Sequence, residues 1–168
     1  PTLRKALAIG ADKAIRINIE PTDSSVVAKS ISDYISDNSY DLIIAGRESI
    51  DYNGGMVPGM ISALTKINFI DKCIDLNISE NLVLASREID GGMENISTSL
   101  PLIIGGQKGL VEENDLKIPN MRGIMMARKK ELLVLDPGEY TDTLGTDSFE
   151  KPEPKGEVTL VSPNEVEK

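Results

Sequence analysis

The segment Asp41-Leu-Ile-Ile-Ala45, closed by Gly46, constrains the fold more than any other stretch of the chain. Four consecutive apolar residues without polar alternation predict a short strand buried on both faces, the habit of a parallel sheet covered by helices. The flanking sequence agrees. Leu3, Ala6, Leu7 and Ile9 share a helical face that stops at Gly10. Ala14 to Ile19 alternates as a strand, and Thr22, Asp23 and Ser24 offer N-cap side chains to a helix carrying Val27, Ile31, Tyr34 and Ile35 at helical spacing. Downstream, Met60, Leu64 and Ile67 mark another helix, with Pro58 suited to its first turn. This alternation predicts right-handed crossovers and a parallel sheet. Phe69 to Ile78 and Asn81 to Ile89, parted by a Ser-Glu-Asn turn, read as further strands, as do Asn95 to Ser99 and Leu102 to Ile104. Residues 105–120 read as a loop, Met121 to Lys130 as a short helix and Leu132 to Leu135 as a last strand.

Composition narrows the chemistry. The 168 residues include no histidine, which removes Ser-His-Asp and Cys-His catalysis and every His-ligated metal site. The one cysteine, Cys73, lies in an apolar alternating stretch and is expected to be a buried core thiol. No apolar run approaches the roughly 18 residues a membrane span needs. The net charge of −9 disfavours nucleic acid and anionic membranes as partners. Nine acidic residues against three lysines from Asp136 onward place −6 of that charge in the last 33 residues. The expected organisation is therefore a domain over 1–135 and an acidic arm over 136–168, with the KPEPK run at 151–155 as an extended linker. The arm is either a disordered tail or a strap around a partner. Pro1 stands where an initiator Met is expected and helical residues begin at once, so a segment upstream is expected.

Three stretches carry chemical content. GRESIDYNGGMVPGM, Gly46 to Met60, follows the carboxyl end of an apolar strand and opens a helix, the place where open parallel sheets bind ligands. Its small residues admit a phosphate to the backbone and to the free amides of a helix N-terminus, and Asp51 and Asn53 are placed to meet a ribose or an adenine edge. The competing reading is a turn that needs glycines for geometry alone. REIDGG, Arg87 to Gly92, is either a solvated hairpin turn or a charged contact surface. KIPNMRGIMMARKK, Lys117 to Lys130, is either core packing with a basic helix end or an adaptable hydrophobic anchor flanked by charge. No nucleophile arrangement is recognisable.

Taken in order, LRKALAIGADKAIRI, DLIIAGRESID, REIDGGMENISTSLPLIIGG and IPN followed by IMMARKK resemble the electron transfer flavoprotein beta subunit, from Leu3 to about Leu135. The resemblance implies a Rossmann-like α/β domain of the adenine nucleotide alpha hydrolase type, with extra antiparallel strands and a C-terminal arm embracing an alpha subunit. It implies a non-catalytic, bacterial, cytoplasmic electron carrier. FAD is held mainly by the alpha subunit. AMP, or a second FAD in its place, sits in the turn matching Gly46, Ser49, Asp51, Asn53, Gly54, Gly55, Met56 and Val57. The donors that the resemblance implies are acyl-CoA dehydrogenases and similar flavoenzymes, and the acceptor a quinone oxidoreductase or another acceptor. Ile118 matches the aliphatic anchor that plugs into a dehydrogenase, and Glu88 matches an acid that pairs with an alpha-subunit arginine. The alternatives are a subunit of a bifurcating complex using NADH, and a stand-alone adenine-nucleotide-binding module. Where many relatives carry Asn-Gln-Thr-Gly, this chain reads Gly55-Met56-Val57-Pro58, so the hydroxyl and amide side chains that would grip a phosphate are gone. About three extra residues, Met121 to Gly123, separate the anchor from the Ile-Met pair.

Overall fold

The computed structural model describes residues 1–50 and 53–156. Its elements run α1 (Thr2–Ile9), β1 (Ala14–Ile17), α2 (Ser24–Asp37), β2 (Leu42–Gly46), α3 (Met56–Thr65), β3 (Asn68–Ser79), β4 (Leu82–Ile89), β5 (Gly92–Ser99), β6 (Leu102–Gly106), a 3-10 turn (Glu113–Asp115), α4 (Met121–Ala127) and β7 (Leu132–Leu135). This is the expected α/β order, and each predicted element is present. None of the helices is long and apolar enough to cross a membrane.

The strands form two sheets. One has the order β2-β6-β3-β4-β5, and the other pairs β1 with β7 in parallel. In the larger sheet β2, β6 and β3 are parallel, while β3-β4-β5 is an antiparallel meander. The pivot is β3. Its first half pairs with β6 and its second half with β4, and the register shifts between Ile70 and Cys73 and again between Cys73 and Asp75. Lys72 sits at the shift with φ 52, its amide donating 2.8 Å to Asp71 Oδ1. Such a bulge bends the strand and increases its twist. The two hairpin turns are tight, with positive φ at Glu80 in the first and at Gly91 in the second. A glycine adopts that conformation without strain.

Alternation along the strands divides the interior. Ile103 joins Ala28, Ile35 and Ile61 beneath α2 and α3, with Ile43, Val57 and Phe69 against them. On the other face Leu102 and Ile104 join Ile70, Cys73, Val83 and Ala85. Cys73 is fully buried, as expected for a core thiol, and desolvation pushes its ionisation up. A third cluster, Leu7, Ala14 and Ala127, lies among α1, β1, α4 and β7.

Burial of β2 on both faces is only partly realised. Ile43 packs under the helices, whereas Ile44 is 63% exposed. The reason is position: among the described residues β2 is the edge strand of its sheet, and no element covers that side chain. The single parallel sheet expected across β1 and β2 is likewise divided. Among the described residues β1 bonds only to β7 and β2 only to β6.

The arm also departs from a free tail. Residues 136–156 form no helix or strand, yet 140–144 lie along α2. Tyr140 Oη donates 3.0 Å to Asp33, and the Lys29 ammonium sits 5.7 Å from the Tyr140 ring centroid. The amides of Thr143 and Leu144 donate to Asp23 Oδ2 at 2.7 and 3.1 Å. Val158 to Val161, a short apolar alternation in the arm, falls outside the described residues.

Candidate functional site

The carboxyl ends of β2 and β6 lie side by side because the two strands are parallel and in register, Gly46 opposite Gly106. The Arg47 amide extends the ladder by donating 3.2 Å to Gly106 O, and the Gln107 amide donates 2.9 Å to Cys73 O. Past these last bonds the chains diverge and leave a cleft of about 390 Å³ lined by Gly46, Arg47, Glu48, Gly106, Gln107 and Lys108. The Arg47 guanidinium donates 2.8 Å to Gln107 Oε1 and 2.6 Å to Glu48 Oε1, fixing the amide side chain on the rim. The lining is two cations, one carboxylate, one amide and bare glycine backbone. That set suits a polar, anionic ligand more than an apolar one.

Of the sequence-predicted binding residues, only Gly46 lines this cleft among the described residues. Ser49 and Gly54 form an isolated antiparallel bridge, the Ser49 amide donating 2.9 Å to Gly54 O. That amide is therefore spent on loop geometry. Asn53 is exposed at φ 50. Asp51 lies outside the described residues. Gly55 caps α3 without a side-chain hydrogen bond, and a Cβ there would meet Arg47 O at 3.2 Å. Among the described residues no side chain caps the first-turn amides, the usual condition of a bare helix start. Met56 is exposed and Val57 packs into the core beneath α2 and α3. Val57 is a packing residue here, and only its amide faces the helix start.

Arg47, Gln107 and Lys108 were not anticipated as site residues. The apolar run 102–104 followed by Gly105-Gly106 repeats the pattern of 42–46, and that likeness is the signal that marks a second strand ending at the same rim.

The two residues expected to dock partners lie elsewhere. Glu88 is exposed near the tip of the β4–β5 hairpin, beside a 280 Å³ depression that also includes Asp71, Lys72, Arg87 and Asp90. Arg87 is engaged across the hairpin with Glu94 at 2.6 Å, whereas Glu88 has no ion-pair partner among the described residues. REIDGG is therefore a hairpin turn and a charged surface at once. Ile118 is 83% exposed, two residues ahead of Asn120, whose Oδ1 caps α4 by accepting from the Gly123 amide at 2.7 Å. Met121, Met125 and Met126 are exposed on α4, so the methionines of this stretch face outward rather than into a core. Residues 116–130 carry five basic side chains and no acidic one.

Comparison with known proteins fits this architecture. The family model for the electron transfer flavoprotein domain matches residues 1–139. Electron transfer flavoprotein subunit beta of Bacillus subtilis is 36% identical over 138 residues, covering 80% of this chain and 52% of the relative. The same subunit of Dictyostelium discoideum is 33% identical over 140 residues, covering 81% and 54%. That of Homo sapiens is 28% identical over 160 residues, covering 90% and 62%. The chain thus spans about half to three-fifths of the length of these relatives. With a match across nearly all of its folded residues, the chain belongs to the electron transfer flavoprotein family, on the beta-subunit side.

Proposed function

We propose that this chain acts as the beta subunit of a heterodimeric electron carrier, passing electrons from acyl-CoA dehydrogenases and similar flavoenzymes to a quinone oxidoreductase in the bacterial cytoplasm. It has no catalytic role of its own. The alpha subunit holds most of the FAD, which supplies the redox chemistry. This chain supplies a platform and a docking point. The observation that carries the reading is Ile118: a large aliphatic residue, almost fully exposed, held just ahead of a capped helix within an all-basic run. Together with the exposed Met121, Ile124, Met125 and Met126 that follow it, Ile118 forms a run of apolar side chains presented to solvent, the pattern of a surface that a partner covers.

The nucleotide of this subunit, AMP, is assigned to the β2–α3 turn and the adjoining cleft. The first-turn amides of Met56 and Val57 and the side chains of Arg47 and Lys108 would hold its phosphate, replacing the missing threonine and amide side chains. Glu88 would meet an arginine of the alpha subunit. The outer arm would reach the same subunit, while residues 140–144 stay on α2.

Two measurements test this. Cofactor extraction from the purified heterodimer is expected to give one FAD and one AMP. Two FADs would establish the bifurcating alternative, and a colourless monomer would overturn the carrier altogether. Replacing Ile118 by Ala in the heterodimer is expected to raise the dehydrogenase KM for the carrier about tenfold, with FAD content unchanged. An unchanged KM would remove Ile118 from docking.

A further inference from the structure

We propose that Arg4 and Lys130 are positioning residues that set the angle at which Ile118 meets its donor. The inference rests on the docking role just described and concerns how the surface is held. The two cations form a reciprocal clamp between α1 and α4. Arg4, on α1, donates from Nη1 to Ala127 O at 2.6 Å and Lys130 O at 3.0 Å, at the carboxyl end of α4. Lys130, just past α4, donates from Nζ to Leu7 O at 3.2 Å and Ala11 O at 2.7 Å, at the carboxyl end of α1. The two helical segments therefore exchange cations, each meeting carbonyls in or just past the last turn of the other, where the helix dipole also favours positive charge.

The clamp is joined by contact and by cap to the anchor. Gly123, in the first turn of α4, lies so near α1 that a Cβ there would collide with the Ala8 carbonyl. Its amide is the one accepted by the Asn120 cap, and Ile118 precedes that cap by two residues. A continuous path runs from α1 through the clamp to α4, then through the cap to the docking side chain. Apolar packing alone fixes this path weakly, because among the described residues Leu7, Ala14 and Ala127 are the buried members of the cluster, with Leu3, Ala8, Ala11 and Leu132 only partly buried against them. An anchor held in place before contact loses less conformational freedom on binding, so loosening the clamp weakens recognition while leaving electron transfer within the bound complex intact.

The experiment uses the flavin-loaded heterodimer and steady-state assays with an acyl-CoA dehydrogenase. Arg4→Met and Lys130→Met are expected to raise KM for the carrier about five- to tenfold with kcat within twofold. Arg4→Lys and Lys130→Arg, which keep a cationic donor, are expected to recover most of the loss. Arg128→Met is the charge control, since that side chain makes no hydrogen bond among the described residues, and it is expected to change KM less than either clamp variant. Should Met not be tolerated, Arg4→Gln and Lys130→Gln keep a neutral donor and read the same KM. Clamp variants that leave KM unchanged while Ile118→Ala raises it overturn the clamp and spare the docking reading. Equal effects from Arg128→Met and the clamp variants also overturn it, because charge rather than position would then explain the loss. If Ile118→Ala is itself silent, the docking reading fails first.

Discussion

Around the five-stranded sheet, ten residues are buried in two clusters, and six of them are Ile or Leu. Around the β1–β7 pair, among the described residues, only Leu7, Ala14 and Ala127 are buried, two of them alanines. Burying a large aliphatic side chain contributes roughly 1.5–3 kcal/mol and an alanine far less, so apolar burial supports the first region much more than the second. The smaller region replaces it with polar fixation of backbone: a reciprocal cation clamp, a helix cap and a glycine contact. It also turns its apolar residues outward, at Ile118, Met121, Met125 and Met126. A region that turns its large hydrophobic side chains to the surface keeps fewer for its interior, and directional polar bonds then fix its geometry.

The contrast breaks most visibly under core truncation. Ile103 is fully buried in the middle strand of the parallel set, beneath α2 and α3. Ile103→Ala is expected to destabilise the protein by ~2–5 kcal/mol, the range for truncation in a packed core, read from denaturant midpoints of the heterodimer. A loss under ~1 kcal/mol would mean that the larger region does not depend on its aliphatic interior. Next in size is Gly123→Ala, which forces α4 off α1 and is expected to cost ~1–3 kcal/mol, the range for overpacking. Hydrogen exchange sharpens this test. Protection should fall in α1 and α4 and persist in β3 and β4; uniform loss would show that the two regions do not differ in local stability.

Elements were more legible in the sequence than their neighbours in space. Strands 82–89 and 102–106 and the Asp23 cap announce themselves through apolar runs, glycines and a short polar side chain, all local signals. The insertion of β6 between β2 and β3 depends on long-range pairing that no local pattern encodes. The same holds for the candidate site. Gly46 was legible because its strand and turn are contiguous, whereas Arg47, Gln107 and Lys108 come together only through that non-sequential strand order. The methionines of α4 read equally well as core or surface, since composition does not say on which side of a short helix a partner lies. The arm's docking on α2 was illegible for a different reason: its contacts are polar and single, made by Tyr140 and Thr143 with helix residues more than 100 positions away.

The smallest expected effect concerns that arm. Asp23 accepts from the Ser25 hydroxyl at 2.7 Å and the Val26 amide at 2.8 Å through Oδ1, and from Thr143 and Leu144 through Oδ2. Led by the Ser25 bond and then the Val26 and Thr143 amides, these donors hold its ionisation well below the ordinary carboxylate range. A depressed folded value means that the stabilisation is complete above the unfolded-chain value of about 3.9 and declines as pH falls below it toward the folded one. Asp23→Asn keeps an N-cap acceptor for α2 but turns the second oxygen into a donor facing two amide donors, so it separates the latch from the cap. The variant should melt slightly below the parent at pH 6, and the gap should narrow below about pH 4. At neutral pH, chymotrypsin should cleave after Tyr140 faster in the variant, because the arm leaves α2. Equal cleavage together with a melting gap that ignores pH would show that Asp23 only caps its helix, and that the arm is held by Tyr140 and Asp33 instead.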